Sequence, residues 1–99
     1  MDFPSYSDLP DFDPDDPFDA RAEAVRNRVA TAFADGGFVV TPENAQATLA
    51  GLTTGMLGVL LACTNEDGHR DVVAAVQQYL PHAANTCREM LGLPPLTDN

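Results

Sequence analysis

The sequence predicts an all-α protein that folds as a small bundle of three helices, or of four if Pro81 divides the last one. An acidic N-terminal arm that is rich in proline and aromatic residues precedes the bundle. Apolar residues recur at spacings of three and four in three segments after residue 17, which is the period of one helix face. Breaks containing glycine or proline separate these segments. Four prolines among the first nineteen residues exclude a continuous helix there. We therefore predict an arm over residues 1–17 and a helical domain over 18–96, with helices at about 18–35, 42–63 and 68–91.

The N-terminal arm combines negative charge with aromatic side chains. Residues 1–19 hold seven of the fifteen acidic residues and no arginine, so they carry −7 of the formal charge of −10. They also hold four of the seven aromatic residues. This composition is typical of a segment that docks on a folded surface, and the sequence leaves open whether that surface belongs to the same chain or to a partner. The candidate partner-binding residues are Phe3, Tyr6, Asp8, Asp11, Phe12, Asp13, Asp15 and Asp16.

The first helix has recognisable start and stop signals. Asp16 or Asp19 can cap its N-terminus, where a negative charge is also favourable. Gly36 and Gly37 predict its end, because a glycine accepts the left-handed conformation past the last turn. Residues 38–40 then form a short, extended apolar link. The predicted core stripe of this helix consists of Ala22, Val25, Val29, Ala32 and Phe33.

The second helix is predicted to begin at Thr41-Pro42-Glu43, which offers a cap residue, a proline in the first turn and an acid. Its large side chains form one face and its small residues form another. Each glycine inside a helix costs about 1 kcal/mol relative to alanine, so three of them predict close approach by another helix. The large residues are Leu49, Leu52, Met56, Val59, Leu60 and Cys63, and the predicted helix-packing or dimer face contains Gly51, Gly55 and Gly58.

The second helix is also a candidate membrane span, because no charged residue occurs between positions 44 and 65. Its threonines, glutamine and three glycines, together with the lack of flanking basic residues, argue against insertion. We therefore expect no membrane partner. We expect a central helix that is buried on most sides.

The third helix follows the tight polar connection at residues 65–68. Pro81 either kinks this helix or starts a new one. Gly92 predicts its end, with Leu93 as the accompanying hydrophobic residue. Its predicted core stripe consists of Val72, Val73, Val76, Leu80, Ala83, Ala84, Cys87 and Leu91.

Residues suited to metal binding or catalysis are few and badly spaced. The set Cys63, His69, His82 and Cys87 cannot converge on one zinc ion if the last two helices form a hairpin, since Cys87 then lies roughly 27 Å from the turn. Both cysteines are expected to be buried, apolar and unbridged. The run from Asp11 to Asp15 opens like a calcium loop but lacks the later glycine and glutamate of that motif. We expect no catalytic residue, cofactor or metal, and hence no enzyme.

The charge balance excludes two further classes of function. Five arginines and no lysine against fifteen acids rule out direct binding to nucleic-acid phosphates or to anionic lipid. The predicted function is a non-enzymatic protein-binding or regulatory module. The alternative is an acidic nucleic-acid mimic, of the phage or mobile-element type, that inhibits a DNA- or RNA-binding protein. A homodimer is expected because the second helix has more apolar surface than two neighbouring helices cover. Without a visible signal peptide, a cytoplasmic location is expected.

Overall fold

The computed structural model describes residues 3–96. It contains three α-helices, namely α1 (Pro17–Gly36), α2 (Ala45–Ala62) and α3 (His69–Met90), and two 3₁₀ turns at Tyr6–Asp8 and Glu66–Gly68. The described residues contain no β-strand. The all-α prediction is therefore confirmed.

Helix α1 begins and ends where the local sequence predicted. Pro17 lies in its first turn, and Asp16 occupies the N-cap position without making a side-chain capping bond. At the other end Gly37 is left-handed, with φ of 67°. The amide of Gly37 donates to the Ala34 carbonyl (3.3 Å) and that of Phe38 to the Phe33 carbonyl (3.1 Å). These paired bonds form the Schellman motif, which satisfies carbonyls at the helix end.

Helix α2 begins at Ala45, three residues later than Pro42, so the predicted start is wrong. The amide of Asn44 donates to the Thr41 carbonyl at 3.2 Å. Its side chain accepts from the Thr41 amide and donates to the Val39 carbonyl, both at 2.9 Å. Because this turn uses the Asn44 side chain, residues 42–44 stay outside the helix and Asn44 takes the N-cap position.

Helix α3 is continuous through Pro81, so a fourth helix is not formed. At its start the His69 Nε2 atom lies 2.9 Å from the Leu61 carbonyl oxygen, which ties the connection to the end of α2. At its end Gly92 is left-handed, with φ of 75°. The Leu93 amide donates to the Arg88 carbonyl at 2.8 Å, which confirms the predicted glycine stop.

The chain forms two compact units, Met1–Phe38 with Pro81–Asn99, and Val39–Leu80. In the first unit the arm lies on α1; the second contains α2 and the first half of α3. No described residue of either unit is buried in the single chain. We expected α2 to be mostly buried. This expectation is wrong for the single chain, because none of the residues of α2 is buried.

The predicted core stripes are only partly covered. On α1, Phe33 is half-buried, whereas Val25 and Val29 are exposed. On α3, Val72, Val73 and Val76 are half-buried. Within each unit, the described residues of these stripes therefore form no fully buried core. The members of the α3 stripe that are exposed are Leu80, Cys87 and Leu91.

Candidate interaction surfaces

The arm is held on α1 by a cluster of polar contacts around Glu23. The Glu23 carboxylate accepts from the Ser5 hydroxyl at 2.7 Å and from the Ser7 amide at 2.9 Å. Its other oxygen accepts from Arg26 Nε at 2.9 Å. Arg26 Nη1 in turn donates to the Pro4 carbonyl at 2.6 Å. We call Pro4, Ser5, Ser7, Glu23 and Arg26 the arm clamp. In the arm clamp, the charged pair Glu23 and Arg26 on α1 binds backbone and hydroxyl groups of the arm.

Aromatic contacts lie beside the arm clamp. The Phe3 ring meets Phe33 edge to face, with ring centroids 6.3 Å apart. Phe33 also contacts Phe38, at 5.5 Å between centroids. Such pairs contribute about 0.5–1.5 kcal/mol beyond the area they bury. Tyr6 and Phe12 are half-buried as well. In the single chain, the aromatic side of the arm is thus turned towards its own unit.

The apolar periodicity of α1 does not identify Glu23 and Arg26, because the stripe predicted for this helix contains only apolar residues. The two side chains are three residues apart and form an ion pair with low exposure, 14% for Glu23 and 24% for Arg26. Their spacing on one helix face was the available signal. The spacing of Glu23 and Arg26 could not show that residues 4–7 lie opposite these two side chains.

The arm clamp lowers the pKa of the Glu23 carboxyl. Burial of the group raises the pKa, but the hydrogen bonds from Ser5, Arg26 and Ser7 and the charge of Arg26 outweigh that effect. The net direction is below the ordinary value of 4.5. The folded chain therefore favours the ionised carboxylate, and protonation of Glu23 weakens the attachment of the arm.

We expect Glu23→Gln to remove a pH-dependent part of the stability. Because folding lowers the pKa of Glu23, its contribution is present above pH 4.5 and is lost as the pH falls through the folded-state pKa. Thermal melts should show the wild type more stable by about 1 kcal/mol near neutral pH, with the difference vanishing in acid. Glu43→Gln, at an exposed glutamate, is the matched control. A difference that persists unchanged at low pH would contradict this role of the Glu23 charge.

The aspartates of the arm lie mainly on its solvent side. Asp8, Asp11, Asp13 and Asp15 are exposed, while Asp16 is half-buried. Two of their carboxylates accept hydrogen bonds from nearby backbone amides: Asp13 accepts from the Asp15 amide at 2.9 Å, and Asp8 accepts from the Ser5 amide at 3.3 Å. The arm aspartates therefore form an exposed negative surface with local turn bonds.

Metal-binding side chains do not gather anywhere in residues 3–96: no group of three or more histidines, cysteines, aspartates or glutamates could hold an ion. Cys63 and Cys87 are free thiols. Both are exposed in the single chain, so the expectation that they are buried is wrong for one copy. Cys63 is the C-cap residue that follows α2, and Cys87 lies in α3.

Helix α2 presents the second surface, which is apolar. We call Leu49, Leu52, Met56, Val59 and Leu60 the α2 apolar surface, and their exposed fractions are 63, 45, 40, 66 and 40%. No charged residue occurs within Ala45–Ala62. The half-buried leucines of this helix are instead Leu57 and Leu61. The stripe predicted as core is thus the side that remains uncovered in the single chain.

The glycines of α2 are open as well. A Cβ added at Gly51, Gly55 or Gly58 would meet no atom within 4 Å. Within the unit Val39–Leu80, the close helix approach that these glycines predict is therefore not made.

By length and composition, α2 also qualifies as a helix able to cross a bilayer, and it is uncovered in the single chain. The core helix of a soluble protein and a signal sequence pass the same test. Three glycines and four polar side chains interrupt the apolar surface of α2, and the polar residues are Gln46, Thr48, Thr53 and Thr54.

Comparison with known proteins found no matching family model, no similar curated protein and no similar solved structure. The arm clamp and the α2 apolar surface are therefore the two features from which a function can be argued. The arm clamp makes its hydrogen bonds within the chain. The side chains of the α2 apolar surface are exposed.

Proposed function

We propose that this protein is a non-enzymatic protein-binding module that contacts its partner through the α2 apolar surface. The supporting observation is the exposure of five large apolar side chains along one uncharged helix. Soluble proteins rarely leave a continuous apolar patch of this kind in water, and such patches mark interaction sites. Burial of apolar area contributes roughly 25 cal/mol per Å², so covering this surface would stabilise a complex.

The two surfaces have different roles in this proposal. The arm clamp uses its hydrogen bonds within the chain, which leaves the arm's aspartates to keep the protein soluble through charge repulsion. The α2 apolar surface carries no charge, so its binding depends little on salt. Binding through α2 is thus distinguishable from binding through the acidic arm by ionic strength alone.

A matched pair of variants tests the proposal. Leu49→Glu places a charge on the α2 apolar surface, and Leu91→Glu places the same charge on an equally large side chain, 56% exposed, outside α2. Because Ala45–Ala62 has no amine, carboxylate or thiol side chain, the cross-linking uses photoreactive leucine incorporated in the source cell. Mapping of the linked peptides should then join α2 to a protein surface in the wild type and in Leu91→Glu. Leu49→Glu should lose that link. Equal cross-linking of both variants, or none from α2, would contradict the proposal.

A second candidate function is an acidic mimic of nucleic acid. It is favoured by one observation, the exposure of Asp8, Asp11, Asp13 and Asp15 on an arm that is fixed to α1. Such a mimic would bind a basic DNA- or RNA-binding protein with steep salt dependence. Replacing Asp11 and Asp15 with asparagine should then weaken that binding and flatten its salt dependence. Binding that is unaffected by these changes and by salt would exclude the mimic.

A further inference from the structure

We propose that the N-terminal arm is a strap that holds the C-terminal end of α1, so that release of the arm from the arm clamp frees Phe38. This inference concerns the unit Met1–Phe38 with Pro81–Asn99 and does not depend on the α2 apolar surface. Phe38 is the residue at which the chain leaves this unit for Val39–Leu80. The arm therefore determines whether the connection that follows α1 starts from a held residue or from a free one.

Phe33 is the side chain that joins the arm to the end of α1. Its ring contacts the Phe3 ring of the arm, at 6.3 Å between centroids, and the Phe38 ring, at 5.5 Å. The Phe33 carbonyl also accepts from the Phe38 amide at 3.1 Å. Phe33 thus holds both the ring and the backbone of Phe38, and Phe3 packs against the same Phe33 ring. Loss of the Phe3 contact removes part of the support of the surface on which Phe38 lies.

The Phe38 ring lies against the last residue of α1, in a position that a side chain at Gly36 would occupy. A Cβ added at Gly36 would lie 2.6 Å from Phe38 Cε2 and 2.7 Å from Phe38 Cδ2, so the ring would have to move. The ring is also 65% exposed, which means that contacts cover only a minor part of its surface. The contact with Phe33 is therefore a large share of what holds this ring, and a change at Phe33 is able to displace it.

The arm clamp keeps Phe3 in place. Phe3 directly precedes Pro4, whose carbonyl accepts from Arg26 Nη1 at 2.6 Å. Arg26 and Phe33 are seven residues apart on α1, a spacing that places both on one helix face. The polar and the aromatic contacts of the arm therefore follow the same face of α1. When the clamp opens, Phe3 loses the tether that keeps it beside Phe33.

Native-state hydrogen exchange of the full chain, followed by NMR, tests the effect of the arm on the helix end. In Phe3→Ala the Phe38 amide should exchange about 2- to 10-fold faster than in the wild type, the factor that one aromatic contact provides. Asp11→Asn changes an exposed arm residue, keeps the aromatic contacts and should leave this rate unchanged. The Cys63 amide, which donates to the Val59 carbonyl in the other unit, reports any general loss of stability. An unchanged Phe38 rate, or an equal increase at Cys63, would overturn the proposal.

Gly36→Ala tests the effect of the helix end on the arm, because a coupling between two sites acts equally in both directions. The added methyl group displaces the Phe38 ring. The Ser7 amide, which donates to the Glu23 carboxylate at 2.9 Å, should then exchange about 2- to 10-fold faster than in the wild type. Gly51→Ala is the matched control, since a Cβ there meets nothing within 4 Å, and it should leave the Ser7 rate unchanged. A wild-type rate at Ser7 in Gly36→Ala would contradict the coupling.

A double-mutant cycle with smaller changes keeps the proposal testable if an alanine variant fails to fold. Phe3→Leu and Phe38→Leu retain apolar side chains and remove the two rings that contact Phe33. Their combined effect on the unfolding equilibrium constant should differ from the product of the single effects by about threefold or more, because the two positions act through one residue. A combined effect equal to that product would overturn the coupling.

Discussion

Removal of residues 1–15 is expected to lower the melting temperature by more than about 10 °C. The deletion eliminates the Phe3 contact with Phe33 and the bonds that Ser5 and Ser7 make to Glu23. It leaves Glu23 and Arg26 without their arm partners. Partial loss of apolar burial and of these hydrogen bonds is worth about 3 kcal/mol, and each kcal/mol shifts the melting temperature of a chain this size by about 4–8 °C.

The control for this deletion retains the aromatic side chains and removes charge. Asp11→Asn with Asp15→Asn keeps Phe3, Tyr6 and Phe12 in place and should leave the melting temperature within about 2 °C of the wild type. Melts at matched concentration compare the two. If the shortened chain has the same melting temperature as the wild type, the arm contributes no stability, and its aromatic residues are available to a partner.

The helix ends were predictable because their causes are local. Gly37 and Gly92 each end a helix in the left-handed conformation, and glycine is the residue that adopts it without steric cost. Pro17 similarly marks the start of α1. The start of α2 was misplaced because two local signals competed, and the Asn44 side chain, which bonds to both Thr41 and Val39, fixed the turn.

The packed faces were harder to predict because they depend on contacts distant in sequence. The arm clamp joins Ser5 to Glu23 across eighteen positions, and nothing in the periodicity of α1 indicates which arm residues lie opposite it. On α2, apolar residues occur on nearly every side, so the pattern could not distinguish the half-buried Leu57 and Leu61 from the exposed Leu52 and Met56. In an amphipathic helix such as α3, the sequence indicates which side of the helix is packed. The sequence of α2 does not.

If another molecule packs on the glycine face of α2, Gly55→Leu is expected to destabilise that complex by about 1–3 kcal/mol, the usual cost of overfilling a packed contact. Within one chain a Cβ added at Gly55 meets nothing within 4 Å apart from its own helix backbone, and leucine is a better helix former than glycine. A single chain would therefore gain about 0.8 kcal/mol of stability from the change. Destabilisation can arise only if a second molecule approaches the glycine face of α2.

Protein concentration identifies the source of the effect. If a second copy approaches Gly55, Gly55→Leu should weaken dimerisation by roughly 5–150-fold, since each 1.4 kcal/mol corresponds to a factor of ten, and its melting temperature should depend on concentration more weakly than that of the wild type. Gln46→Leu, near the start of the same helix, is the control and should dimerise normally, because the glycine face is unchanged. If Gly55→Leu melts higher than the wild type at every concentration, the glycine face is open in the assembled protein, and the contacts of α2 are confined to its large apolar side chains.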